Sequence, residues 1–245
     1  MPKPNIQTSP NAIVSILQGV PDWFSSHQEA LSVELEEGED IPGDAARLSE
    51  TLEQAEGAFN REVKETKAAY TAMSDQVSQV PAFERSVRAS VERRLNKNNS
   101  LTPAARRRIL ADFRLGPPSA VRTVKSAKNR LDELNSALDV HGASIGTPSR
   151  VEGWLQTIES SRKKLDTAAI AIGREKQESG DAFEAREAAR ADAVAFIDDI
   201  TLASEAVEIN DPRVIENLRI LFDLHNPSPG GGSSPGEPLP DTDDI

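Results

Sequence analysis

From Leu48 the apolar positions of this chain run Leu52, Ala55, Phe59, Val63, Thr66, Tyr70, Met73, Val77 and Val80, in steps of three and four. Such spacing turns one stripe of a helix toward its neighbours, so it predicts a long helix with a coiled-coil-like seam. Pro81 follows, but the phase continues through Phe83, Val87, Val91 and Leu95, which predicts a kink rather than a stop. A second seam starts at Val151, Leu155, Ile158, Leu165, Ala169 and Ile172, weakens around Lys176, Ser179 and Gly180, and resumes at Phe183, Val194 and Ile197. No period-two run rich in β-branched residues is found, so strands are not expected.

Helix starts are marked by a capping residue and a proline, because the first turn needs no amide donor. This device occurs at Thr8-Ser9-Pro10, Thr102-Pro103, Thr147-Pro148 and Asp211-Pro212, with Ser149 and Glu152 set for a capping box after Pro148. Short motifs recur in the same order at a shift drifting between 100 and 111 residues. Pro10-Asn11-Ala12-Ile13 matches Pro118-Ser119-Ala120-Val121, and Ala30-Leu31-Ser32-Val33 matches Ala137-Leu138-Asp139-Val140. Phe83-Glu84 matches Phe183-Glu184, and Arg108-Ile109-Leu110-Ala111-Asp112 matches Arg219-Ile220-Leu221-Phe222-Asp223. Pro81 and Gly180, both helix-weakening, stand just ahead of the matched phenylalanines.

The fold class that follows is all-α: an elongated up-and-down helical bundle of two pseudo-repeated units, each a first helix, a long kinked helix and a short closing helix. In the first copy the helices are expected at about 10–36, broken at Gly19-Val20-Pro21, then 44–98 and 103–115; in the second, at 118–141, 148–207 and 211–225. Residues 1–9 form an N-terminal arm. The bundle occupies 10–226 as one domain, with pseudo-repeats 10–116 and 118–226. Residues 227–245, rich in proline and glycine with acids at the end, read as a disordered tail.

Composition narrows the function classes. The chain has 245 residues, 37% hydrophobic and 4% aromatic, which suits narrow apolar stripes better than a thick globular core. No apolar run approaches the roughly 18 residues a membrane span needs, and the first residues lack a signal-peptide core, so the expectation is a cytoplasmic protein with no membrane insertion. Cysteine is absent, which excludes disulfide and thiol chemistry.

The net charge of −12 is unevenly spread: residues 1–79 carry −9, residues 80–131 carry +10 and residues 132–245 carry −13. The candidate interaction residues are therefore Arg85, Arg88, Arg93, Arg94, Arg106, Arg107, Arg108, Arg114, Arg122, Lys125, Lys128 and Arg130, with Lys97 among them. Clustered cations neutralise phosphates and release counterions, which would serve nucleic-acid binding. They could equally pair with acidic helices beside them, or meet an acidic partner.

Catalytic, cofactor and metal residues are assigned nowhere. Gly142-Ala143-Ser144-Ile145-Gly146 matches the spacing of a hydrolase nucleophile elbow, yet a helical pattern precedes it where the elbow needs a strand, so it reads as a loop ending a helix at Gly142. His27, His141 and His225 are scattered, and none has a glutamate three residues away to complete a helical metal pair.

Part of the basic segment resembles the DNA-binding helix-turn-helix domain of quorum-sensing-type transcription regulators. Leu101-Thr102-Pro103 with Arg108-Ile109-Leu110 is similar to that family's opening helix, and Thr123-Val124-Lys125-Ser126 with Arg130-Leu131 and Leu134 to its recognition helix. The resemblance implies a recognition helix entering the major groove, and it departs where the family has a scaffold helix, because Gly116-Pro117-Pro118 stands there instead.

The function expected from these features is a non-enzymatic helical scaffold, adaptor or self-assembling structural protein with a protein partner or a second copy as its ligand. A nucleic-acid-binding protein using residues 80–131 is the alternative, and a metal-binding or catalytic bundle a more remote one.

Overall fold

A computed structural model describes residues 3–36, 38–114 and 116–225, so the 227–245 tail lies outside the described residues. It is all-helical, with no strand among them: α1 (Pro10–Leu31), α2 (Ile41–Lys97), α3 (Pro103–Asp112), a 3-10 turn (Pro118–Ala120), α4 (Val124–Ile145), α5 (Pro148–Ala206) and α6 (Arg213–His225). The caps form where side chains supply acceptors for unpaired amides. Ser9 Oγ accepts from the Ala12 amide and Thr102 Oγ1 from the Ala105 amide. At α2 the cap is Asp40, whose Oδ1 accepts from the Gly43 amide, so this helix starts three residues earlier than the sequence pattern predicts.

The helices assemble into two compact units. Unit one takes residues 3–64 and 177–225, hence α1, the start of α2, the end of α5, and α6. Its core is built from Ile13, Ile16, Leu17 and Val20 of α1, Leu52 of α2, Ala193 and Ile197 of α5, and Val214 and Leu218 of α6. Unit two takes residues 65–176, hence the rest of α2, then α3, α4 and the start of α5. Val87, Val91 and Leu95 pack there with Phe113, Leu131, Leu134, Leu138 and Ile158.

Several expectations are corrected. α1 is unbroken at Gly19-Val20-Pro21 and ends at Leu31 rather than at 36. Proline removes one backbone donor, but Leu17, Val20, Trp23 and Phe24 are buried on either side of it, and this packing holds the helix together. Gly19 is a contact residue: a Cβ there would lie 2.4 Å from Leu221 Cδ1, so the glycine lets α6 approach. α2 continues through Pro81 without a stop, as the phase of its apolar positions predicts.

The helix expected from Pro118 begins at Val124. Pro118–Ala120 forms only a 3-10 turn, because Thr123 and Ser126 make a capping box: Thr123 Oγ1 accepts from the Ser126 amide and Ser126 Oγ from the Thr123 amide, each at 3.0 Å. α4 then continues to Ile145, four residues past the expected end. The segment Gly142–Ile145 is therefore its last turn and not a loop. A Cβ on Gly142 or Gly146 would come within 3.1 Å of a Val151 methyl, so these glycines seat the start of α5.

In α5 the buried stripe does not pass through Phe183, which is 46% exposed. It passes through Ser179, Arg186, Ala189, Arg190 and Ala193 at helical spacing. Arg186 and Arg190 are tolerated there because each is ion-paired and hydrogen-bonded: Arg186 Nη2 lies 2.8 Å from Glu187 Oε1, Arg190 Nη1 lies 3.5 Å from Glu187 Oε2, and Arg190 Nη2 donates to the Thr8 carbonyl at 2.6 Å. The Arg186 guanidinium also lies 4.1 Å from the Phe59 ring centroid and 5.0 Å from that of Phe183. Ala169, expected in the seam, is exposed and Ala168 takes its place.

Candidate interaction surface

Charge is sorted by unit as well as by sequence block. Residues 65–176 hold 20 lysines and arginines against 12 acids, a net +8, while residues 3–64 with 177–225 hold 8 against 24, a net −16. The positive unit gains Arg150, Arg162, Lys163, Lys164, Arg174 and Lys176 from the start of α5, which a linear count assigns to the acidic C-terminal block.

Within this unit the candidate cations fall into two groups. Arg130 and Lys128 are paired. Arg130 Nε lies 3.6 Å from Glu84 Oε2, with 9% and 11% of the two side chains exposed, and Arg130 Nη2 donates to the Pro117 carbonyl at 3.1 Å. Lys128 pairs with Asp166 of α5. Burial raises the Glu84 carboxyl above its usual range, while Arg130, then Arg88, pull it back; Glu133 adds to the rise and Arg85 opposes it. Arg130 is thus an internal strut between α2, α4 and the α3–α4 connection, and its guanidinium is not offered to solvent.

The remaining cations make no ion pair among the described residues: Arg85, Arg93, Lys97, Arg107, Arg108, Arg114, Arg122 and Lys125 are exposed, and Arg88, Arg94 and Arg106 half-buried. Local hydrogen bonds hold two of them. Arg122 Nε donates to the Ser119 carbonyl at 3.0 Å, and Arg106 Nη2 to the Asn98 carbonyl at 2.6 Å. The Nε atoms of Arg88 and Arg106 are buried without a hydrogen-bond partner among the described residues. Pairing with neighbouring acidic helices therefore accounts for Lys128 and Arg130 and leaves most of the block uncompensated.

α3 carries the densest part. Its one buried side chain, Ile109, faces the core, which leaves Arg107 and Arg108 outward. Its far end is tied to α4 by His141 Nε2, 2.6 Å from Asp112 Oδ2, and Phe113 is fully buried just beyond. Between α3 and the end of α2 lies a groove of about 340 Å³ lined by Arg106, Arg107, Arg114, Leu95, Leu110, Ala111, Asn96 and Glu92. Leu95, Leu110 and Asn96 were not singled out by the charge pattern. A clue lay in Leu110 following the arginine triplet at the spacing of a second, partly apolar face.

The helix-turn-helix resemblance does not extend to the structure. Among the described residues only the 3-10 turn stands between α3 and α4, and Arg130, on the helix similar to a recognition helix, is buried against Glu84. The three histidines have separate environments: His27 meets Asn217 at 3.0 Å, His141 meets Asp112, and His225 closes α6. Ser144 is exposed on the last turn of α4, a helical setting unlike a nucleophile elbow. Comparison with known protein families, with characterised proteins and with solved structures finds no match for this chain.

Proposed function

We propose that this is a non-enzymatic helical scaffold that self-assembles, the basic surface of unit two in one copy meeting the acidic surface of unit one in another. The observation that carries this reading is the sorting of charge by unit, +8 against −16, with the arginines of α3 and most other cations of residues 80–131 in no ion pair among the described residues. A uniformly charged chain would repel its copies; a chain with segregated charge attracts them in one orientation. Such contacts are heterologous and propagate into chains or rings.

The same reading treats the chain as a duplication, with α1, α2 and α3 answering to α4, α5 and α6. Their lengths are 22, 57 and 10 residues against 22, 59 and 13. Ile41 and Pro148 start the long helices 107 residues apart, Lys97 and Ala206 end them 109 apart, and Pro103 and Arg213 open the closing helices 110 apart. Each unit combines a first helix and the opening of its own long helix with the end of the other long helix and that copy's closing helix. The letter matches in the first helices support duplication less, because Pro10 opens α1 whereas Pro118 opens only the 3-10 turn.

The test is light scattering across a concentration series at low and high salt. The expected result is assembly at about 0.05 M salt that dissolves near 0.5 M, where the Debye length falls to a few ångströms. Reversing Arg107, Arg108 and Arg114 to glutamate should weaken assembly by about tenfold per charge at low salt. A chain that stays monomeric at every concentration overturns the proposal. Because unpaired arginines also suit phosphates, random-sequence duplex DNA is titrated in parallel; binding that falls with salt and is lost in the same triple variant would replace self-assembly with nucleic-acid binding.

A further inference from the structure

We propose that the α2–α3 groove is a docking site for this chain's own acidic segment Pro238–Ile245, which acts as a resident competitor for the basic surface. This rests on the reading of that surface as a binding face. The groove offers three arginines, Arg106, Arg107 and Arg114, over the apolar side chains of Leu95 and Leu110, with Glu92 the one carboxylate on its lining. Arg106 is already oriented by the Asn98 carbonyl, so it is pre-set rather than free to fold away.

The segment supplies the complementary chemistry. Asp241, Asp243 and Asp244 stand between two apolar residues, Leu239 and Ile245, and residues 226–245 contain four acids and no lysine or arginine. Carboxylates accept from guanidinium forks, while Leu239 and Ile245 suit the apolar floor. Pro238 and Pro240 fix φ near −65°, so less backbone freedom is lost on docking. The acidic residues Glu36, Glu39 and Asp40 of unit one also stand between two apolar residues, Leu35 and Ile41, but those two are already packed in the core of unit one and are not available as anchors. A tethered segment competes at high effective concentration, so it would hold the basic surface closed until a stronger acidic partner displaced it.

The experiment measures fluorescence anisotropy of a labelled peptide covering residues 236–245 against three full-length chains: the unaltered chain, Asp241→Asn/Asp243→Asn/Asp244→Asn, and that variant with Arg107→Glu/Arg114→Glu added. The peptide should bind the tail-neutralised chain at least about tenfold more tightly than the unaltered one, because the resident competitor is weakened. Arginine reversal should abolish binding, and a peptide with lysine at 241, 243 and 244 should restore it, which excludes misfolding as the cause. Equal affinity for the unaltered and tail-neutralised chains, or binding that survives arginine reversal, overturns the proposal. Light scattering on the same samples separates the two readings. A monomer that binds peptide overturns self-assembly alone, and an assembling chain that ignores the peptide overturns the docking alone.

Discussion

Replacing Arg130 with methionine is expected to cost about 3–5 kcal/mol of stability at neutral pH, the range for breaking a buried ion pair from one side. The carboxylate of Glu84 would stay buried with its nearest counter-charge gone, and the Pro117 carbonyl would lose a donor. The loss should depend on pH in a stated direction. Burial already lifts Glu84 above its ordinary value, so in that window the folded chain holds a proton that the unfolded chain has released. Stability contributed by this group is therefore present at low pH and falls as pH rises through the raised value. Removing Arg130, the strongest of the influences that lower Glu84, pushes the window higher still. The deficit of Arg130→Met should accordingly be smaller at acidic than at neutral pH.

The double variant Glu84→Gln/Arg130→Met, which buries no unpaired charge, should recover most of the loss. Urea titrations in a Trp23→Phe background read this directly, since Trp154 then reports from unit two. A deficit equal at both pH values would show that Glu84 is not its source.

Truncating Trp23 to alanine should cost unit one about 3–5 kcal/mol, the range for emptying an aromatic site in a packed core. Trp23 is 7% exposed, and its indole N–H donates to the Val214 carbonyl at 3.1 Å, so it both fills volume and fastens α1 to α6. α6 has only 13 residues and too little length to be stable alone. It is held by Val214, Ile215, Leu218 and Phe222, and by Leu221 lying over Gly19. Trp23→Phe keeps much of the ring and gives up the hydrogen bond, for about 1–2 kcal/mol. Guanidinium titration followed by helical circular dichroism distinguishes them. A loss below about 1 kcal/mol for the alanine variant would mean that this contact does not hold α6.

Local rules explain what was legible beforehand. The three-and-four spacing of Leu48, Leu52, Met73, Val77, Val80, Val87, Val91 and Leu95 predicts their burial, because helix period depends only on residues within one turn of each other. The caps at Ser9 and Thr102 are equally local, each closing over three residues. Where the reading failed, it followed apolar letters past a polar contact. Phe183 drew the seam away from Ser179 and Arg186, and nothing near Arg186 in sequence announces Glu56 or the Phe59 ring. Thr123 with Ser126 is a capping box whose partner is serine rather than glutamate, so α4 was started too early.

The charge block divides along the same line. That residues 80–131 are basic is a property of the chain itself, as are the three-and-four apolar spacing and the order of helices. Which cations remain available was decided only by tertiary structure. Arg130 and Arg107 are indistinguishable as letters, yet one is buried on Glu84, 46 residues away, and the other stands exposed on α3. The division into two cores, each drawing on both long helices, was likewise decided in three dimensions. The reason is physical: helix formation is set by backbone bonds four residues apart, whereas charge compensation and core membership depend on which distant side chains folding brings within a few ångströms.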